Sequence, residues 1–381
     1  MQILLNYIWP LIIFLFTLVI LVVIHEFGHF IMCKFFNIKV LEFGFGIPPR
    51  AWGKKVGETL ISINWLPFGG FVRPLGEDED VDLKKMSEKE RKEWNERSFQ
   101  TQTVGKRIIV VIAGVLMNLL LAWVLFYSVI IAQNWKIIYP AIEPSISINY
   151  IDKNFPAENS GLQIGDKILT VNNQTPKDID SAIQLIRQSG DKGVDLVVSD
   201  LEDKNIRTLH LVGKMAEDGI RKIGVTFSPV PIKVYKTLPE RVFSGVTYSY
   251  DVTRATFLGL GKIGQQLGAQ NYRKAGEGVT GPVGLAVITK NIVSQGWEAS
   301  LYYLWFMGLL SLTLFIFNIL PIPALDGGRL FFLLVEAVTK KKVSAKFEQK
   351  VHAVGMAVLL TLIFLITFKD IFQFIVPHLP K

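Results

Sequence analysis

The stretch Val22-Val23-Ile24-His25-Glu26-Phe27-Gly28-His29-Phe30-Ile31 sets an H-E-x-x-H pattern inside a long apolar run. On a helix, positions i and i+4 lie about 40° apart round the axis, so His25 and His29 present their imidazoles from one face. Two neutral imidazoles at that spacing can hold a zinc ion, and Glu26 between them can take a proton from water on the ion. A chance grouping of three polar residues is the simpler account. The run is apolar enough to span a bilayer, however, where an ionisable group costs roughly 3 kcal/mol or more and is functional by default. Cys33 sits four residues after His29 on the same face. It reads as packing, because three ligands from one straight helix cannot surround an ion.

A third ligand must come from elsewhere. Asn318-Ile319-Leu320-Pro321-Ile322-Pro323-Ala324-Leu325-Asp326-Gly327-Gly328-Arg329 closes another apolar segment. Its two prolines break a helix and free backbone groups that need partners at membrane depth. An Asp there is expensive unless it meets a cation, so Asp326 completes a His/His/Asp set, with water or substrate fourth. The competing role, an N-cap for a helix starting near Gly327, leaves Asn318 and both prolines unexplained.

The elements that must position these groups belong to a membrane. The chain has 381 residues, 50% of them hydrophobic, and a mean hydropathy of +0.35. Several stretches approach or exceed the roughly 20 apolar residues that cross a bilayer. The net charge of +8 is assigned to basic loops that fix topology, with no nucleic-acid partner. The single cysteine excludes an intramolecular disulfide. The N-terminal run has no basic n-region and no small-residue cleavage site, so residues 1–36 read as a retained first span carrying the metal motif.

Residues 37–104 read as a polar insert. It has short strands at Ile38 to Phe45 and Thr59 to Ile63, a turn from Pro67 to Gly70, and a dense charge mix from Glu77 to Arg97. Gly44-Phe45-Gly46, followed by Pro48-Pro49, suits a hairpin tip whose backbone approaches something closely. A second span, 105–135, opens with Lys106 and Arg107 and carries Trp123, Tyr127 and Trp135 toward its exit. Residues 142–229 have a soluble α+β composition, and 231–300 suit helices on the membrane surface. A third span (301–328), a basic loop (329–350) and a fourth span (351–376) follow. The basic loops place the insert and the 329–350 loop in the cytoplasm, and both termini and the 142–229 domain outside. The first and third spans then run in the same direction, so His25, Glu26, His29 and Asp326 reach similar depth.

Within 142–229, Ser160-Gly161-Leu162-Gln163-Ile164-Gly165-Asp166-Lys167-Ile168-Leu169-Thr170-Val171-Asn172 resembles a PDZ domain, whose exposed edge accepts a peptide strand. The whole chain resembles the site-2 protease family of intramembrane zinc metalloproteases, most closely the bacterial branch that includes the regulator of sigma-E protease. The resemblance rests on His25-Glu26-Phe27-Gly28-His29 paired with Asn318 through Gly328. It also takes in Gly44-Phe45-Gly46, Pro67-Phe68-Gly69-Gly70-Phe71 and Gly281-Pro282-Val283-Gly284. It implies a polytopic α-helical membrane protein with four transmembrane helices, a membrane-associated β-element and one α+β PDZ domain. It implies Zn2+ held by His25, His29 and Asp326, Glu26 as general base and acid, and Asn318 holding the substrate backbone. Gly44, Phe45 and Gly46 would belong to a β-element that receives substrate as an added strand.

The partners it implies are the lipid bilayer and single-span membrane proteins in the bacterial cytoplasmic (inner) membrane. These would be cut after a first cleavage by another protease, as anti-sigma factors or remnant signal peptides are. The PDZ domain would contact substrate or a regulatory protein. Two departures stand. One PDZ domain is readable where the sigma-E regulator has two. Ala113-Gly114-Val115-Leu116-Met117-Asn118 keeps the Asn of the family's Ala-Gly-Pro-x-x-Asn pattern without its Pro, and Asn118 is given no role. A membrane-anchored PDZ adaptor with a structural metal site is the alternative reading. A cation transporter comes last, since it leaves the PDZ-like stretch unexplained.

Overall fold

The computed structural model describes residues 2–77, 86–140, 145–216 and 219–378. Its first element is helix α1 (Gln2–Phe35), apolar round its whole circumference as befits a helix with apolar surroundings on every side. Two long strands follow, β1 (Val40–Val56) and β2 (Thr59–Pro74), paired antiparallel. Both bend at repeated register shifts. Glu42 to Phe45 therefore have partners on two sides, Leu60 to Ile63 and Gly70 to Arg73. Gly46 and Gly69, at φ of 80° and 81°, supply backbone conformations that a side chain would disfavour. The strands expected at Ile38 to Phe45 and Thr59 to Ile63 are parts of these longer ones, and the turn expected at Pro67 to Gly70 lies inside β2. The far part of the sheet exposes Ile47, Trp52, Ile63 and Trp65.

Helix α2 (Glu88–Arg97) opens on a capping box between Ser87 and Glu90. Residues 78–85 of the expected charge mix lie outside the described residues. Arg97 reaches back to the turn between the strands, its two guanidinium nitrogens donating to Glu58 at 2.7 and 2.8 Å, and Lys34 donates to the same carboxylate at 2.7 Å. These partners, Arg97 foremost, hold the Glu58 carboxyl down at about 2. Helix α3 (Val104–Ala132) then crosses α1 with backbones in contact. A methyl group at Gly28 would meet the backbone of Ala113 and Gly114, and one at Gly114 would meet the ring of His29.

From Phe126 to Asn271 the chain forms a second unit, the first being Met1–Leu125 with Tyr272–Lys381. In order it holds β3 (Lys136–Ile138), β4 (Ser147–Ile151), β5 (Lys167–Val171), helix α4 (Ile179–Gln188), β6 (Val194–Ser199) and β7 (Arg207–Leu211). The short pair β8 (Lys214–Met215) and β9 (Arg221–Lys222), β10 (Val225–Ser228), β11 (Ile232–Val234), α5 (Leu238–Val242) and α6 (Ser244–Gly268) complete it. Five strands form an antiparallel sheet in the order β10-β4-β5-β6-β7. Its inward residues Ile148, Ile168, Leu196 and Val198 bury against Ala182 of α4. The Gly165-Asp166 corner is held by the buried Asp166 carboxylate, which accepts from the Gln163 N–H at 2.8 Å and from Arg207 at 2.6 Å.

The first unit resumes with α7 (Tyr272–Glu277) and α8 (Pro282–Val293). The N-terminus of α8 is capped from far along the chain: Asp370 accepts from the N–H groups of Gly281 and Gly284 at 2.9 and 2.8 Å. Helices α9 (Ser300–Ile319), α10 (Asp326–Thr339) and α11 (Ala345–Asp370) follow. Three expectations are corrected here. The third segment is not one piece over 301–328, because Pro321 and Pro323 stop α9 at Ile319 and α10 restarts at Asp326. The basic loop over 329–350 is mostly helix, since lysine is a good helix former, and only residues 340–344 join α10 to α11. The surface region over 231–300 divides, and its later part belongs to the first unit, where α8 packs on α1, α9 and α11. Among the described residues, four helices are long and apolar enough to cross a membrane: Trp9–Phe35, Val104–Ala132, Trp297–Ile319 and Lys346–Ile375.

Candidate metal centre

The helical turn of α1 sets His25 and His29 edge to face, ring centroids 4.8 Å apart, and the proline-broken connection after α9 delivers Asp326 as the first residue of α10. The His25 Nε2 to Asp326 Oδ2 distance is 2.8 Å, His29 Nε2 to the same oxygen is 3.3 Å, and the two Nε2 atoms are 3.2 Å apart. Ligands bonded at about 2.0–2.1 Å to a tetrahedral ion stand about 3.3 Å from one another. The three atoms are therefore spaced as corners of one coordination sphere. Asp326 Oδ2 is buried, and despite its short distance to His25 it makes no aligned hydrogen bond. The three atoms gather round a shared centre, and the donor set of two imidazoles and a carboxylate fits zinc. Among the described residues no other cluster of three such side chains occurs.

The rival roles weighed for neighbouring residues fall away. The N-cap position of α10 is Leu325, so Asp326 stands inside the helix and does not cap it. Cys33 packs among Ile38, Val40, Phe99 and Val110, away from the cluster. The loop carrying Asp326 is tied to α11: the Ala324 N–H donates to His352 Nδ1 at 2.9 Å, with Ala324 at a φ of 79°. Neither feature was foreseen.

Glu26 accepts from the Val72 N–H at 3.0 Å, so the last part of β2 lies along the carboxylate. Gly44 and Phe45, expected as an open receiving edge, are corrected: both sides of this stretch are already paired, and the Phe71 ring covers Gly44. Gly46 has its carbonyl taken by the Asn64 side chain at 3.1 Å. Asn318 lies half-buried in the last turn of α9, and its carbonyl stands 2.9 Å from where a methyl group at Gly327 would fall. Behind the cluster, α3 supplies two contacts. His29 Nδ1 is 2.9 Å from the Val110 carbonyl, and His25 Nδ1 is 3.2 Å from the Asn118 carboxamide. Gly114 and Asn118, four residues apart, were a readable signal for this face, whereas the Val110 carbonyl was not.

Apolar helices gathered round two imidazoles and a carboxylate define a polytopic membrane protein with a metal centre. The family model of peptidase family M50 matches residues 13–362, and the chain belongs to that family. A Clostridium perfringens protein named as a zinc metalloprotease is 30% identical over 351 residues, covering 92% of this chain and 95% of that one. The zinc metalloprotease RasP of Geobacillus kaustophilus is 28% identical over 426 residues, covering 93% and 96%. The regulator of sigma-W protease RasP of Bacillus subtilis is 27% identical over 424 residues, covering 92% and 95%. The chain is thus a zinc metalloprotease of the membrane.

Proposed function

We propose that the chain hydrolyses peptide bonds in or near the transmembrane segment of single-span membrane proteins, with His25, His29 and Asp326 as its zinc ligands and Glu26 as general base and acid. The observation that carries this reading is the convergence of the three ligand atoms at 2.8–3.3 Å beside Glu26. Among the described residues the cluster has three candidate protein ligands, which leaves a fourth position for chemistry and favours catalysis over a structural metal site. Bound zinc lowers the pKa of water toward ~7 and polarises a carbonyl. Glu26, aimed by the Val72 N–H, takes the proton of the attacking water and returns it to the departing amide nitrogen.

A helical substrate hides its carbonyls in its own hydrogen bonds and must be unwound first. Gly70 to Arg73 are paired on the β1 side only, and their other edge runs beside Glu26. This edge, in place of Gly44 to Gly46, takes the unwound segment as an added strand, and Asn318 holds its backbone. The five-stranded sheet with α4 and the Gly165-Asp166 corner support a PDZ-type role, engaging substrate or a regulatory protein outside the membrane. The lysines of 340–344, and Lys39, Arg50, Lys54 and Lys55 early in the 37–104 insert, support a cytoplasmic placement for both, in a bacterial inner membrane. Exposed Trp52 and Trp65 suit the headgroup level. Substrates already clipped elsewhere, such as anti-sigma factors or remnant signal peptides, are the first to try.

In vesicles containing the chain and a single-span substrate, Glu26→Gln is expected to retain zinc and lose cleavage. Cleavage by that variant at the wild-type rate would overturn the mechanism.

A further inference from the structure

We infer that α3 is the outer brace of the metal centre and that Asn118 sets the imidazole tautomer through which His25 can bind zinc. The inference rests on the proposed ligand set. Val110, Gly114 and Asn118 follow one another at four-residue steps on one face of α3. At one end, the Val110 carbonyl can only accept, so His29 Nδ1 carries the hydrogen and Nε2 keeps a free lone pair toward the centre. In the middle, Gly114 leaves the ring its space. At the other end Asn118 is fully buried against His25.

The Asn118 carboxamide stands with Nδ2 3.2 Å from His25 Nδ1, while its Oδ1 is buried without a partner. In that orientation Nδ2 donates to Nδ1, which puts the ring hydrogen on Nε2, 3.2 Å from His29 Nε2; Asp326 Oδ2, 2.8 Å away, makes no aligned hydrogen bond with it. A ligating Nε2 would carry no hydrogen, so holding zinc calls for the neutral tautomer with the ring hydrogen on Nδ1. Asn118 must then offer an acceptor. Turning the carboxamide over places Oδ1 at the same point with the same shape and gives that oxygen its partner. Amide orientation and tautomer change together, which is the outer-shell fixing of ring nitrogens that metal-binding histidines require. Mere helix-to-helix adhesion does not explain the side chain, because the contact from α9 at this point is Ser311 Oγ donating to the Asn118 backbone carbonyl at 2.7 Å.

The test uses the full chain purified in detergent, stripped of metal and titrated with zinc against a chelating indicator, and separately with cobalt while its visible spectrum is followed. Asn118→Ala should weaken zinc about 10- to 100-fold. Asn118→Asp can only accept, and should hold zinc at least as well as the wild type with an unchanged tetrahedral cobalt band. A purely packing role predicts the opposite order, since a buried charge disturbs packing more than a methyl group. Unchanged affinity in Asn118→Ala, or equal loss in a folded Asn118→Asp, would overturn the inference. Should Asn118→Asp not elute as a folded species, the affinity of Asn118→Ala decides alone. A wild-type chain without zinc, or one whose zinc survives His25→Ala, would instead refute the ligand set.

Discussion

Gly114 lies so close to His29 that any side chain there would claim the imidazole's place. Gly114→Ala is expected to displace the ring, cost about 1–3 kcal/mol of stability by overpacking, and lower the zinc held per chain. Gly105→Ala on the same helix has open space around it and should change neither. Metal analysis and thermal unfolding of the two variants check this. At this scale the proposed ligands were legible because few residue types bind zinc, so His25, His29 and Asp326, which the structure brings together, could be picked out by chemistry and spacing. The Val110 carbonyl could not, because every residue has one. His352 could not either, because its contact is to a backbone N–H in a loop whose path two prolines do not define. Gly44 shows the limit of a glycine signal. It marks close backbone approach, but not whether the visitor is a ligand or, as here, the chain's own Phe71.

Helix α8 begins where Asp370 meets the N–H groups of Gly281 and Gly284, a cap supplied from another helix. Asp370→Ala would leave two buried donors unpaired, at about 1–3 kcal/mol each, and should lower the unfolding temperature. Asp370→Asn keeps an acceptor and should lower it less. The strand turn is secured differently, by Arg97 and Lys34 on Glu58, whose pKa is depressed to about 2. A depressed carboxyl adds stability above its unfolded pKa of about 4.3, and loses it as pH falls from there through the folded value. The stability gap between wild type and Glu58→Gln should thus be constant from neutral pH down to about 5 and shrink as the pH falls toward 2. Denaturant unfolding at stepped pH measures it. Apolar helices were legible here, but the paired strands were only partly so. Period-2 patterning locates a strand but not its partners, and the partners of Glu42 to Phe45 come from two separate parts of β2. Lysines over 340–350 misled in another way, because charge reports solvent contact and says little about backbone shape.

Across the whole molecule, the four apolar helices were readable because crossing a bilayer is a demand on length and composition alone. The orientation proposed from the basic loops has a convenient test, since the only native thiol, Cys33, is fully buried. Lys341→Cys should react with a membrane-impermeant maleimide only in inverted vesicles, and Lys204→Cys only in right-side-out cells. The reverse pattern would turn the topology over.

The proposed ligands of the metal centre come from the first helix and from α10, with most of the chain lying between them. A bound ion therefore works as a clasp, joining distant stretches as a covalent cross-link would, but one that a chelator can open. Zinc at a hundred times its dissociation constant would stabilise the folded chain by about 2.7 kcal/mol. Chelation should accordingly raise hydrogen exchange in peptides spanning residues 20–35 and 318–330, leave the sheet of residues 147–228 unchanged, and be reversed when zinc is restored. An ion held by the proposed ligands would thus fasten the fold of the first unit as well as serve the chemistry.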